Sequence, residues 1–95
     1  MIYYLLPRAE EDLERIGDYL AERNPAAAVR LVDAFHEKWL RLTHFPYLGM
    51  ETNDITAGIR HVVVGDYVAL YRVAEKGIEI VRVFHGHRRI TAGDV

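Results

Sequence analysis

The chain has 95 residues, enough for one domain (1–95), and 51% of them are apolar, which allows a small hydrophobic core. It has no cysteine, so disulfide frameworks and thiolate chemistry are excluded. The net charge of −2 argues against a strongly basic nucleic-acid-binding protein. No apolar run approaches a membrane-spanning length, and the first residues lack the basic lead of a signal peptide, so we expect a cytoplasmic protein without a membrane partner.

The first half of the sequence predicts a short strand followed by a helical hairpin. Residues 1–6 form a brief run rich in β-forming residues, which is typical of a buried strand. Apolar residues then recur at steps of three and four, which predicts helices of about Arg8–Arg23 and Pro25–Thr43. Asn24 separates the two helices, because asparagine caps helix N-termini and proline suits the first helical position. The stripes predict these largely buried side chains: Leu13, Ile16, Leu20, Leu31, Phe35 and Trp39.

The last third of the sequence predicts a three-stranded antiparallel meander. The β-branched and aromatic runs 59–64, 67–73 and 78–84 are separated by turn signals at Gly65-Asp66 and Lys76-Gly77. The polar stretch 50–58 is predicted to be a loop, and the tail 90–95 is predicted to dock loosely. The element order is therefore β-α-α-β-β-β, an α+β domain in which the helical hairpin covers one face of a small antiparallel sheet.

Residues along almost the whole chain resemble the ParE/RelE toxin superfamily. The first helix contributes Ala9, Asp12-Leu13, Ile16 and Tyr19 to this similarity. The other matching segments are Asn24-Pro25-Ala26-Ala27-Ala28, Phe45-Pro46-Tyr47-Leu48-Gly49, Arg60, the stretch 67–73 and the stretch 80–88. The corner between the helices and the ending that begins at His85 are nearer to the ParE-like branch.

The resemblance implies the toxin of a type II toxin–antitoxin pair. ParE-like members inhibit DNA gyrase, whereas RelE-like members cleave mRNA on the ribosome. The implied partners are a cognate antitoxin that wraps the toxin in a hetero-oligomer, DNA gyrase as the target, and operator DNA contacted through the antitoxin. We therefore expect a gyrase inhibitor that is not an enzyme. The alternatives are a ribosome-dependent mRNA endonuclease and a non-toxic protein-interaction module.

Cleavage of RNA by a nuclease requires a general base, an acid and cations around one phosphate. The basic candidates are Arg60, Arg82, His85, His87 and Arg88. The loop before Arg60 contains no lysine and carries only Glu51 and Asp54 as charged residues, whereas RelE-like members tend to be lysine-rich there. We therefore expect no RNA cleavage, although a histidine base combined with Glu51 remains the alternative.

The residues predicted to contact a partner are Arg60, Tyr71, Arg82, His85, Arg88 and Arg89. Structural roles compete with this interpretation, because Arg72 or Arg82 can pair with a glutamate across strands, and Arg60 can pair with a first-helix carboxylate or cap the sheet rim. Tyr71 shares a strand face with Tyr67 and is equally suited to the core. We expect the docking surface to be an exposed apolar patch rimmed by charge.

A metal site at the end of the third meander strand is not expected. His85 and His87 have the spacing of two residues on one side of a strand, but no third ligand lies near them in the sequence. The sequence therefore predicts no metal and no cofactor.

Overall fold

The protein is described by a computed structural model that covers residues 1–52, 55–86 and 88–95. Its elements are β1 (Ile2–Leu5), α1 (Pro7–Arg23), α2 (Pro25–His44), β2 (Met50–Glu51), β3 (Arg60–Val64), β4 (Tyr67–Ala74), β5 (Gly77–His85) and a 3₁₀ turn (Ala92–Asp94). The helical hairpin packs on one face of a five-stranded sheet, which confirms the α+β fold. Among the described residues, no helix is both long and apolar enough to cross a membrane.

The sheet is mixed, not wholly antiparallel as expected. Its strand order is β1-β5-β4-β3-β2, and β3, β4 and β5 form the predicted antiparallel meander. β1 lies parallel to β5, with Tyr3 opposite Ile78. β2 falls within the stretch predicted to be a loop, and it pairs with β3 through two residues only. Local patterns do not reveal the pairing of β1, because its partner β5 is distant in sequence, and β2 is only two residues long.

A β-bulge in β5 changes which of its side chains face the helices. Leu70 of β4 lies opposite Arg82, but Tyr71 lies opposite Ile80, so β5 carries one extra residue, Val81. Ile80 packs in the main core between helices and sheet, whereas Val81 belongs to a second apolar cluster. The bulge therefore sets the surroundings of Arg82.

The main core contains the two aromatic residues predicted for it. Phe35 and Trp39 have no exposed surface, and their rings stack with centroids 5.3 Å apart. The other predicted core side chains are only partly buried: Leu13, Ile16, Leu20 and Leu31. Three of these four lie on α1, which covers β5 and β1 at one edge of the sheet and keeps part of its apolar stripe near solvent.

The C-terminal tail is better anchored than the sequence predicts. It packs Ile90 and Val95 against the second apolar cluster, whose buried members are Ile59, Leu70, Val81 and Phe84. Arg88 forms an ion pair with Asp94 at 2.9 Å, and Arg82 donates a hydrogen bond to the Asp94 carbonyl at 2.6 Å. The tail therefore covers part of this second cluster.

Candidate functional site

Arg82 lies inside the protein, where it binds α1. Its Nε and Nη2 atoms donate to the two carboxylate oxygens of Asp12 at 2.6 and 3.0 Å. Asp12 also accepts a hydrogen bond from the backbone N–H of Val83 at 3.0 Å, beside the bulge. Only 6% of Arg82 is exposed. Arg82, one of the residues predicted to contact a partner, therefore has an internal role, because its guanidinium joins α1, β5 and the tail.

Both members of this buried pair are held in their charged forms. Burial by itself raises the pKa of Asp12, but hydrogen bonds from Arg82, Val83 and Arg15 outweigh burial and lower the carboxyl pKa below its ordinary value. The hydrogen bond to Asp12 raises the pKa of Arg82. This role of Asp12 was not predicted from the sequence. The available signal was its position in the apolar stripe of α1, three residues after Ala9.

Arg60 lies at the sheet rim and anchors the loop that follows α2. Its Nη1 donates to the Gly49 carbonyl at 2.8 Å, and its Nη2 pairs with Glu51 at 2.9 Å. The guanidinium carbon lies 4.9 Å from the centre of the Tyr47 ring. Arg60 therefore lies at the sheet rim, as one of the structural alternatives predicted. Its ion-pair partner Glu51 belongs to β2 and not to the first helix. Arg72 forms the predicted cross-strand ion pair, and its partner is Glu79.

Tyr71 belongs to the core and orders the same loop. It has no exposed surface, and its hydroxyl accepts a hydrogen bond from the Gly49 N–H and donates one to the Pro46 carbonyl, each at 2.8 Å. Burial raises the pKa of Tyr71. A Cβ atom added at Gly49 would lie 2.5 Å from the tyrosine ring. Tyr71, another residue predicted to contact a partner, therefore faces the loop after α2 of its own chain.

The remaining predicted contact residues are on the surface near the C-terminus. His85 is exposed at the end of β5, and its ring packs edge-on against Tyr67 with centroids 5.4 Å apart. Arg88 lies over the Phe84 ring at 4.5 Å, and Arg89 is exposed. His85 and Arg88 border a surface cavity of about 440 Å³ beside α1. His87 lies outside the described residues.

Three of the basic nuclease candidates, Arg60, Arg82 and His85, do not converge. Arg60 lies opposite Tyr71 and His85 lies opposite Tyr67, on either side of β4. Four residue steps at about 3.3 Å separate these positions by about 13 Å along the strand. Arg82 is meanwhile engaged with Asp12. In residues 1–52, 55–86 and 88–95, no group of three or more His, Asp or Glu side chains is placed to hold a metal ion.

An exposed apolar groove lies between α2 and the edge of β3. Leu48, Met50 and Val63 are 49, 70 and 56% exposed. They border a cavity of about 420 Å³ that is also lined by Lys38 and Arg41 of α2. This is an apolar patch rimmed by charge. Its residues were not predicted from the sequence, because the edge of β3 exists only once the sheet has formed.

Comparisons with known proteins identify the family. The family described as "ParE toxin of type II toxin-antitoxin system, parDE" matches residues 3–90. Toxin ParE3 of Caulobacter vibrioides is 30% identical over 86 residues, which are 85% of this chain and 82% of that protein. Toxin RelE2 of the same organism is 37% identical over 82 residues, covering 85 and 90% of the two chains. A solved chain from the chromosomal ParDE TA system of P. aeruginosa shares the fold, with a TM-score of 0.75, 24% identity and coverage of 90% of this chain and 95% of that chain. The chain therefore belongs to the ParE/RelE family of toxins of type II toxin–antitoxin systems.

Proposed function

We propose that this toxin acts in the cytoplasm by binding and inhibiting DNA gyrase, and that a cognate antitoxin neutralises it. The observation that carries the proposal is the dispersal of the basic residues. Stabilising a phosphoryl-transfer transition state requires several preorganised cations around one phosphate. Arg60 and His85 instead lie on opposite sides of β4, opposite Tyr71 and Tyr67, and Arg82 is paired with Asp12. A toxin that acts by binding alone does not need these residues to converge.

An antitoxin partner is supported by two further observations. The solved chain with the same fold comes from a ParDE toxin–antitoxin system. The groove beside α2 exposes Leu48, Met50 and Val63, and exposed apolar patches of this kind mark sites of protein interaction. We expect operator DNA to be contacted through the antitoxin within a hetero-oligomer, because the net charge of −2 gives this chain little attraction for DNA.

The second candidate function is ribosome-dependent mRNA cleavage. It is favoured by the 37% identity to Toxin RelE2 over 82 residues. On this alternative the surface residues His85 and Arg88 supply the acid–base and cationic groups. The two candidate functions predict different effects of substituting the same surface residues, so one set of variants distinguishes them.

The test applies two assays to one purified preparation. Supercoiling by gyrase is measured with the chain alone and with the product of the neighbouring antitoxin gene, and primer extension is run on a translating message. We expect inhibition of supercoiling that the antitoxin relieves, and no codon-phased cuts. Arg89→Ala is expected to weaken inhibition, whereas Lys76→Ala, at the β4–β5 turn, serves as the matched control. Codon-phased cuts that disappear in His85→Ala would establish the endonuclease instead.

A further inference from the structure

A cavity lined by three arginines lies at the start of α1. Its volume is about 430 Å³, within the range of about 300–1,000 Å³ that is usual for small-molecule sites. The charged residues in its lining are Arg8 of α1, Arg72 of β4 and Arg82 of β5. Among the described residues, no Asp or Glu side chain belongs to this lining. Three elements that are distant in sequence therefore bring cations to one cavity, and neither candidate function uses it.

Two of the three guanidinium groups are held in place by carboxylates behind the lining. Arg82 donates to Asp12 through Nε and Nη2 and to the Asp94 carbonyl through Nη1. Arg72 donates to Glu79 through Nε at 2.6 Å and also pairs with it through Nη2. A guanidinium has five N–H donors, so each group keeps donors that these partners do not use. The ion pairs therefore orient both arginines without exhausting them.

Arg8 supplies the excess positive charge of the cavity. Its side chain is exposed, and it forms no ion pair or hydrogen bond with the part of the chain that the structure describes. Asp12 and Glu79 neutralise the other two arginines, so one uncompensated cation remains in the lining. An anion that enters meets one unpaired guanidinium and two that are already oriented. Such preorganisation lowers the cost of ordering side chains on binding.

The rest of the lining is apolar and suits an organic group attached to the anion. It consists of Leu6, Pro7, Val81 and the side chain of Val95, three of which also contact the second apolar cluster or belong to it. Guanidinium groups bind carboxylates and phosphates through paired N–H donors. A carboxylate offers two oxygens in one plane, whereas a phosphate monoester offers three terminal oxygens in different directions. Donors that arrive from three elements therefore match a phosphate better than a carboxylate.

We propose that this cavity binds a small phosphate monoester, with the phosphoryl oxygens at Arg8, Arg72 and Arg82 and the organic group against the apolar lining. The inference goes beyond the proposed gyrase inhibition and does not depend on it, because it concerns a small ligand of the free chain. A failure to bind this ligand would leave the gyrase proposal untouched.

The test is an NMR titration of the full ¹⁵N-labelled chain with phenyl phosphate, inorganic phosphate and benzoate. We expect phenyl phosphate to shift the Nε–H signals of the three arginines and the backbone amides of residues 6–8 and 81–82. Inorganic phosphate lacks the apolar group and benzoate lacks the third oxygen, so each should bind on the order of tenfold more weakly. Equal or tighter binding of either compound would overturn the proposal. So would the absence of saturable shifts at millimolar phenyl phosphate, or shifts confined to other parts of the molecule.

Two substitutions test the contribution of the arginines. Arg8→Gln is expected to weaken phenyl phosphate binding on the order of tenfold. Because Arg8 is exposed and unpaired, the amide spectrum should otherwise stay unchanged. Arg30→Gln on α2, also exposed and outside the lining, is the matched control and should leave the affinity unchanged. Arg72→Lys keeps the charge but loses the planar fork, so it should also weaken binding. Equal losses in Arg8→Gln and Arg30→Gln would indicate attraction by net charge alone and would overturn the assignment of the site.

Discussion

Replacing Asp12 by alanine is the most informative test of how this fold is held together. The substitution leaves the Arg82 guanidinium buried without a counter-ion and removes the acceptor of the Val83 N–H. Removing one partner of a buried ion pair costs about 3–5 kcal/mol. We expect about 3 kcal/mol, the lower end of that range, because Arg82 keeps its hydrogen bond to the Asp94 carbonyl near the surface.

Urea denaturation followed by circular dichroism measures this loss. For a small domain the free energy of unfolding falls by about 1–3 kcal/mol per molar urea, so the midpoint should fall by about 2 M. Glu14→Ala on the exposed side of α1 is the control, and it is expected to change stability by less than about 0.5 kcal/mol. A loss below about 1 kcal/mol for Asp12→Ala would refute the reasoning. The double variant Asp12→Leu with Arg82→Met should be more stable than either single variant, because apolar groups then replace both charges.

Other predictions follow from the same contacts. Because the pKa of Asp12 is lowered in the fold, its contribution is present above the unfolded value of about 4 and is lost as pH falls through the folded pKa, so acid unfolding monitored by circular dichroism should become shallower in Asp12→Ala. Trp39→Ala should cost about 3–5 kcal/mol in urea denaturation, because the side chain is completely buried. Gly49→Ala should cost about 1–3 kcal/mol because the new Cβ overlaps the Tyr71 ring, whereas Gly17→Ala, with no atom within 4 Å of the new Cβ, should stabilise α1. Tyr71→Phe should cost about 1–3 kcal/mol in the same assay by leaving two loop hydrogen bonds unmade.

The sequence by itself determined the local elements and the family. The helix ends were predicted to within one residue, because the period of the apolar stripe and the cap at Asn24 act within a few residues. The meander was predicted because β-branched runs and the turn at Gly65, which adopts a φ of +57°, are local features. Phe35 and Trp39 were correctly assigned to the core for the same reason.

The tertiary structure alone decided which of the candidate residues remain available to a partner. The sequence predicted that Arg82 and Tyr71 contact a partner. In the structure Arg82 pairs with Asp12, seventy residues away, and Tyr71 binds the loop after α2. The parallel pairing of β1 with β5 likewise joins segments distant in sequence, and the bulge at Val81 depends on the register between β4 and β5. Periodicity and turn chemistry report on neighbours along the chain, whereas these features depend on which strands meet and in what register, and only the assembled sheet fixes that.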